Sequence, residues 1–248
     1  MKKNAIILCS GGLDSSVTAY YVRKKLGYKS LIILFFNYLQ RTLKQERKAA
    51  EKLAKKPGAE FKEIKVPELA SISTSLINKK TKARKIKRKE LKDTKKESLN
   101  YYVPCRNIVF LVYALALAES LQIKTKNKEI FDIFTGFKSE GQEAYPDTTP
   151  EFVKEMNKLK NTATELKGKI IAPLINKDKD EIILLGKKLG VKLEDTYSCY
   201  IGTKNKQEHC GTCLSCRLRQ EAFYWANVED KTKYKEKMKD YRKAKIRK

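Results

Sequence analysis

Residues 10–16 read Ser-Gly-Gly-Leu-Asp-Ser-Ser and follow directly on the apolar run Ala5-Ile6-Ile7-Leu8-Cys9. A buried strand that ends in a turn of glycines and hydroxyls, then enters a helix at about Leu13, leaves few folds open. Gly11 and Gly12 let the backbone take positive φ and approach a ligand closely. Backbone N–H groups in such a turn form an anion nest, and the helix behind it aims its positive N-terminal end at the same point. Ser10, Ser15 and Ser16 add hydroxyl donors. The segment predicts a phosphate cradle at the carboxyl end of a strand in an open α/β sheet. No Gly-Lys-Ser/Thr follows the glycines and Gly-x-Gly-x-x-Gly is not met, which excludes a Walker loop and a dinucleotide fingerprint.

The remaining pattern alternates strands and helices, as a doubly wound, Rossmann-like parallel sheet requires. Strands are expected at 4–9, 31–36, 61–66, 130–135 and 169–172. Helices are expected at about 13–25, up to 55 before Pro57-Gly58, and at 106–121, 150–160 and 178–188, the last closed by Gly190. Thr135-Gly136-Phe137 leaves the fourth strand where ligands contact this architecture. The 248 residues, 41% hydrophobic, suffice for one α/β domain over 1–193 and a small C-terminal module over 194–248. No apolar stretch of membrane-spanning length and no leader are read, so a cytoplasmic protein without membrane contact is expected.

A net charge of +26 favours anionic partners such as nucleotides, RNA or acidic proteins. Lys79–Lys96 alone holds eleven basic residues against two acidic ones. It reads either as a mobile surface insertion or as an arm that meets an acidic protein or nucleic-acid partner near the active site. The tail after Asp230 is also basic and reads as helical or frayed. Cys199, Cys210, Cys213 and Cys216 are spaced Cys-x10-Cys-x2-Cys-x2-Cys. With no secretory signal, metal binding fits better than disulfides. Four thiolates so spaced can close around one structural Zn²⁺, and the compact triplet also suits an iron–sulfur cluster. His209, the single histidine, leaves Ser-His-Asp chemistry without support and reads as a surface residue; Cys9 and Cys105 read as small apolar packing groups.

The loop at 10–15 is similar to the pyrophosphate loop of the ATP pyrophosphatases. Nearly the whole chain resembles the 7-cyano-7-deazaguanine (preQ0) synthase family of queuosine and archaeosine biosynthesis. The resemblance rests on Phe36-Asn37-Tyr38-Leu39-Gln40-Arg41, Tyr102-Val103-Pro104-Cys105-Arg106-Asn107, Pro173-Leu174 with Lys179 and Glu181, Thr196–Tyr200, and Cys210-Gly211-x-Cys213-x-Ser215-Cys216. Departures lie at Gly141 and Leu214, where the family commonly has aspartates, and at Glu143-Ala144-Tyr145-Pro146-Asp147-Thr148-Thr149, where it has Ser-Gly-Tyr-Pro-Asp-Cys-Arg.

The resemblance implies an ATP-dependent carbon–nitrogen ligase that adenylates 7-carboxy-7-deazaguanine and converts it with ammonia, through an amide, to the nitrile. It implies ATP with Mg²⁺, structural Zn²⁺ on the four clustered cysteines, and a homodimer. ATP would lie against Leu8, Cys9, Ser10, Gly11, Gly12, Leu13, Asp14, Ser15, Ser16, Val17, Thr18, Phe36, Asn37 and Lys179. The deazapurine would meet Tyr38, Gln40, Arg106, Asn107, Gly136, Tyr145 and Asp147. Asp14 (near Mg²⁺ or capping the helix), Lys179 (on the developing pyrophosphate charge) and Arg106 would carry catalytic roles. Two other readings stay open: a diverged relative from an antiviral system that transfers the activated acyl group to a protein or nucleic-acid amine, and a tRNA-modifying ATP pyrophosphatase.

Overall fold

The computed structural model describes residues 2–55, 58–79, 81, 83–138, 145–205 and 208–238. Five parallel strands, β1 (Lys2–Leu8), β2 (Ser30–Asn37), β3 (Glu60–Lys65), β4 (Glu129–Phe134) and β5 (Ile170–Ile171), lie in the order β3-β2-β1-β4-β5. The chain runs outward from β1 to β3, then returns to the other side of β1 for β4. The crevice between the carboxyl ends of β1 and β4 is therefore the topological switch point. β5 is two residues long, shorter than the strand expected at 169–172. Pro173 follows almost at once and has no N–H to give a ladder.

Successive side chains of a strand point to opposite faces, and β1 and β2 are apolar on both. Ala5, Ile7, Leu31, Ile33 and Phe35 join one core with α1 (Leu13–Lys24), α2 (Leu43–Lys55) and α7 (Lys179–Lys188). Ile6, Leu8, Ile32, Leu34 and Phe36 join the other with α5 (Arg106–Lys124) and α6 (Pro150–Ala163). Two short helices, α3 (Glu68–Ile72) and α4 (Lys95–Leu99), lie between β3 and α5. α8 (Leu214–Trp225) sends Ala222, Phe223 and Ala226 into the first core, so the C-terminal segment shares the apolar interior of the α/β layers.

α5 differs from the sequence reading in one respect. Its 19 residues are long and apolar enough, by length and composition, to cross a membrane. Here Leu111, Ala114, Leu115 and Ala118 pack it on β1 and β4. Thr149, one of the departures from the family pattern, caps α6 by accepting the Phe152 N–H at 3.1 Å.

The described part of the basic segment 79–96 is not a detached loop. Ile86 is 2% exposed, its N–H donates to Thr212 O at 2.9 Å, and its carbonyl accepts from Arg217 Nε at 2.9 Å. Arg88 meets Glu221 through two nitrogens at 3.1 Å, Lys85 meets Glu236 at 2.6 Å, and Arg84 meets Glu90 and Glu97. The acidic partners of these three cations lie in the same chain. The described tail differs too: at 233–235 it pairs with His209 in a single parallel bridge, with Lys235 N donating to His209 O and His209 N to Lys233 O, each at 2.9 Å.

Ile86 is thus the buried anchor of the segment, whereas Lys89 is exposed. Ile86→Ala is expected to cost about 2–4 kcal/mol, as truncation of a buried aliphatic side chain does. Lys89→Ala should stay within about 0.5 kcal/mol of wild type. Urea unfolding of the two variants measures both.

Candidate active site and metal centre

A cleft of about 280 Å³ opens at the switch point. One end is the turn after β1. Gly11 sits at φ +75°, where side-chain-bearing residues are strained. A Cβ on it would lie 2.7 Å from Glu46 O and 2.8 Å from Ala50 N, in the backbone of α2. Gly11 therefore serves the packing of α2, and Ser10 and Gly12 present the turn to the cleft. Gly136 has the complementary task. A Cβ there would come within 2.7 Å of Ser15 N, so only glycine lets the β4 exit lie against the start of α1. No side chain caps α1, which leaves its N-terminal donors available to an anion.

Asp14 lies in the first turn of α1 rather than at its cap. Its Oδ2 is 3.5 Å from Lys179 Nζ, which α7 brings in from the far side of the cleft. Its Oδ1 is buried and takes no hydrogen bond. Leu8, Cys9, Leu13, Ser15 and Phe36 line the same region. Five residues of the expected nucleotide set fall outside the lining: Gly11, Ser16, Val17, Thr18 and Asn37. Ser16, Val17 and Thr18 turn into the interior of α1's packing, with Thr18 Oγ1 donating to Asp14 O at 2.9 Å. Asn37 is held by Glu63 at 3.0 Å.

The other end of the cleft is aromatic. Phe110 stacks on Phe36 with centroids 4.0 Å apart, and Tyr38 meets Phe110 edge-on at 5.4 Å. Tyr102 lies 6.1 Å from Tyr145, and Tyr101 lies 4.9 Å from Tyr200. Arg106 sits among Tyr38, Tyr200 and Asp147. Burial works against its charge, but these neighbours hold its pKa above the usual arginine value. Burial pushes the Tyr38 phenol up to about 12, with Arg106 pulling the other way. Burial also raises the Asp147 carboxyl against the pull of Arg106. Asn107 bridges the group: it accepts from Arg106 Nε at 3.2 Å and donates to Asp147 O at 3.3 Å. Gln40, Gly136 and Tyr145 complete the expected substrate set in this lining. Gly141, Glu143 and Ala144 lie outside the described residues.

Sequence reasoning missed much of the aromatic wall, including Tyr101, Phe110, Tyr197 and Tyr200. The tyrosines flank motifs already singled out, and that adjacency was the available signal. It also missed Glu46, which α2 places in the lining. Cys9 packs as expected, 3% exposed, but Cys105 is exposed and left-handed at φ +55° where α5 begins.

Tyr197, Ser198, Tyr200 and Ser215 belong to the cysteine module and form part of the cleft lining. Tyr197 N donates to Gly11 O at 2.8 Å, which ties the module to the phosphate turn. The Sγ atoms of Cys199, Cys210, Cys213 and Cys216 lie within 4.8 Å of one another, with Cys210 and Cys216 at 3.9 Å. Tetrahedral ligands about 2.3 Å from a metal are separated by about 3.8 Å, so the set fits one ion. Hydrogen bonds from its three neighbours lower Cys210, while burial raises Cys213 and Cys216. Four thiolates this close call for a cation to ionise together. Gly202 N and Cys210 N donate to Cys199 Sγ, and Thr212 N and Cys213 N to Cys210 Sγ, at 3.2–3.4 Å. α8 starts at Leu214, so Cys213 is its N-cap and Cys216 lies in its first turn.

His209 is not at the surface. It is 2% exposed, accepts the Ser198 N–H at Nε2 at 3.0 Å, and burial with nearby Arg219 lowers its pKa to about 3. Arg219 is fully buried and donates to Thr196 Oγ1, Ser198 Oγ, Leu193 O and Thr232 Oγ1. It therefore pins the chain before Cys199 to α8 and to the tail.

Residues 4–227 match the family described as queuosine biosynthesis protein QueC. A 7-cyano-7-deazaguanine synthase of Methanocaldococcus jannaschii is 39% identical over 237 residues, covering 93% of this chain and 98% of its own length. One from Methanobrevibacter smithii is 36% identical over 239 residues, covering 95% of this chain and 100% of its own. Among solved structures, NMN synthetase from Francisella tularensis overlaps 91% of this chain and 84% of its own at 19% identity and a TM-score of 0.38. That overlap is too slight to carry an argument.

The thiolate geometry predicts one metal ion per chain in native mass spectra of the purified protein. Cys213→Ser removes a fully buried ligand and should abolish that mass increment while leaving the unfolded mass otherwise as calculated.

Proposed function

Since the chain belongs to the family of the queuosine biosynthesis protein QueC, we propose that it is an ATP-dependent 7-cyano-7-deazaguanine synthase with 7-carboxy-7-deazaguanine and ammonia as co-substrates. The observation that carries this reading is that the phosphate turn and the aromatic chamber open into one cleft, with Arg106 in the chamber and Lys179 beside the turn. The turn suits a triphosphate, and the stacked rings suit a flat bicyclic base.

In this reading Ser10, Gly12 and the start of α1 hold the phosphates. Lys179 stabilises the charge that develops on pyrophosphate as it leaves. The orphaned Oδ1 of Asp14 fits a divalent cation, and Mg²⁺ bound there with ATP would neutralise phosphate charge. The ring carboxylate attacks the α-phosphorus; an O–P bond forms and pyrophosphate leaves. Ammonia adds to the resulting acyl carbon, the acyl C–O bond breaks with its electron pair and oxygen leaving on AMP, and a proton passes to solvent to give the amide. A second adenylation, on the amide oxygen, lets AMP and two protons depart as the nitrile forms.

Arg106 has the charge and position to orient the carboxylate toward the phosphate, with Tyr38 and Asn107 holding its plane. Asp147 is the group suited to accept from the N–H edge of a guanine-like ring. No covalent nucleophile is needed. The four cysteines hold a structural Zn²⁺ in this reading: the filled set of ligands leaves no position for a metal-bound water. Arg84, Lys85 and Arg88 of the basic segment pair within the chain, so no observation favours transfer to a macromolecular amine.

Purified protein with 7-carboxy-7-deazaguanine, ATP, Mg²⁺ and an ammonium salt should form the nitrile with about two AMP per product, read by mass spectrometry. Lys179→Ala should lower kcat by about 10²–10³-fold, the usual loss for a group that stabilises developing charge. Arg106→Ala should abolish AMP release that depends on the acid. Nitrile absent from the wild-type reaction would overturn the assignment. If Asp147 works as the carboxylate, the acid limb of kcat/KM lies above the ordinary carboxylate range, since burial raises its pKa, and it is lost in Asp147→Asn.

A further inference from the structure

We propose, on the reading of the site given above, that Glu46 is a positioning residue that holds the Asn37–Thr42 turn in a left-handed conformation so that Tyr38 meets Arg106. The turn is the cleft wall between β2 and α2. Its Leu39 has φ +56° and is 53% exposed, so no packing of its own side chain forces the backbone there. A branched-chain or linear side chain in that region is disfavoured. The restraint comes from hydrogen bonds. Gln40, 3% exposed, accepts the Tyr38 N–H at 3.1 Å through Oε1 and donates through Nε2 to Phe36 O at 3.1 Å. It thereby clamps both sides of the turn. Leu39 N donates to Asn37 Oδ1 at 3.3 Å.

Glu46 fixes the clamp. Its Oε2 accepts from Gln40 Nε2 at 3.0 Å, and its Oε1 accepts from Thr42 Oγ1 at 2.5 Å. These bonds set the rotamer of Gln40 from the first turn of α2, which is itself pressed against Gly11. An amide at position 46 can keep both contacts, its oxygen accepting from Gln40 and its nitrogen donating to the Thr42 hydroxyl, whereas leucine of similar size keeps neither. The output of the turn is Tyr38, 6% exposed, which lines the cleft with Arg106 and whose phenol supports the charge of that buried guanidinium. Every hydrogen bond found for the Glu46 side chain goes to the turn, so the residue acts through Tyr38 and Arg106. It is not a direct ligand of the substrate.

The experiment compares wild type, Glu46→Leu, Leu39→Gly and the double variant. Glycine takes the left-handed conformation without strain, so it removes the need for the clamp. Leu39 is exposed and belongs to none of the machinery described. Two readouts are taken: KM for 7-carboxy-7-deazaguanine against KM for ATP, and hydrogen exchange of the Tyr38 amide. Glu46→Leu should raise KM for the acid and speed Tyr38 exchange, each about tenfold, the factor that a left-handed penalty corresponds to. KM for ATP should stay within about twofold. Leu39→Gly should behave as wild type, and in the double variant it should restore both readouts.

A double variant as impaired as Glu46→Leu would overturn the proposal, and so would unchanged Tyr38 exchange in Glu46→Leu. Should Glu46→Leu fail to fold, Gln40→Ala removes the same clamp from its other end, and its rescue by Leu39→Gly decides in the same way. A wild-type protein that releases no AMP with this acid would sink the functional reading alone. The exchange series would still judge the turn.

Discussion

The backbone of Gly11 carries three demands at once. Its left-handed φ turns the chain out of β1, its α-carbon lies against the backbone of α2, and its carbonyl accepts the Tyr197 N–H. The phosphate turn, the helix that carries Glu46 and the cysteine module meet at this single residue. A side chain there would push α2 away and take the left-handed backbone with it, so the cleft would lose two walls together. The rest of the site is built outward from that contact. Gly136 brings the β4 exit against α1, and α7 brings Lys179 across to Asp14.

The layered architecture was legible because its signal is local. A strand, a turn of glycines and a helix must follow one another in the chain, and apolar runs such as Leu31–Phe36 mark strands buried on both faces. The cysteine spacing was legible for the same reason. The surroundings of Ile86 were not. Eleven basic residues announce solvent, and the one isoleucine among them gives no hint that it is locked beneath α8. His209 misled in the same way. Its burial follows from the tail folding back beside it, a pairing across some two dozen residues that no periodicity reports. Within the site, Asp14, Lys179, Arg106 and Asp147 were found from motifs. Val17 and Thr18 were assigned to the nucleotide by proximity in sequence, yet helical geometry turns them inward. Glu46 was invisible because its meaning depends on the rotamer of Gln40.

The excess positive charge is partly consumed within the fold. Arg88 spans to Glu221, Lys85 to Glu236, and Arg47 to Glu63 at 2.6 Å. Exposed pairs of this sort contribute little stability one by one. Their use is in register: Arg88 fastens the segment that follows Asn78 to α8, Lys85 ties it to the tail, Arg47 joins α2 to β3, and Ile86 packs beneath the first two. Arg219 is different in kind. It is buried, its donors are spent on hydroxyls and a carbonyl, and it stacks 5.2 Å from Phe223. A cation so placed joins three separated stretches of chain: its own helix α8, residues 193–198 and Thr232 in the tail.

The contribution of Tyr197, Ser198, Tyr200 and Ser215 to the cleft has a consequence for the timing of biosynthesis. The phosphate turn leaves the ribosome early, and the sheet around β1 can begin to form as soon as β2 and β4 have followed. The chamber beside it stays open until the cysteine segment has emerged and closed against Gly11. A nascent chain with its phosphate turn already folded would still lack a wall against water. On the function proposed above, an adenylate formed there would meet solvent before it met an amine. Placing one wall of the cleft late in the described chain defers its closure until residues 197–215 have been made.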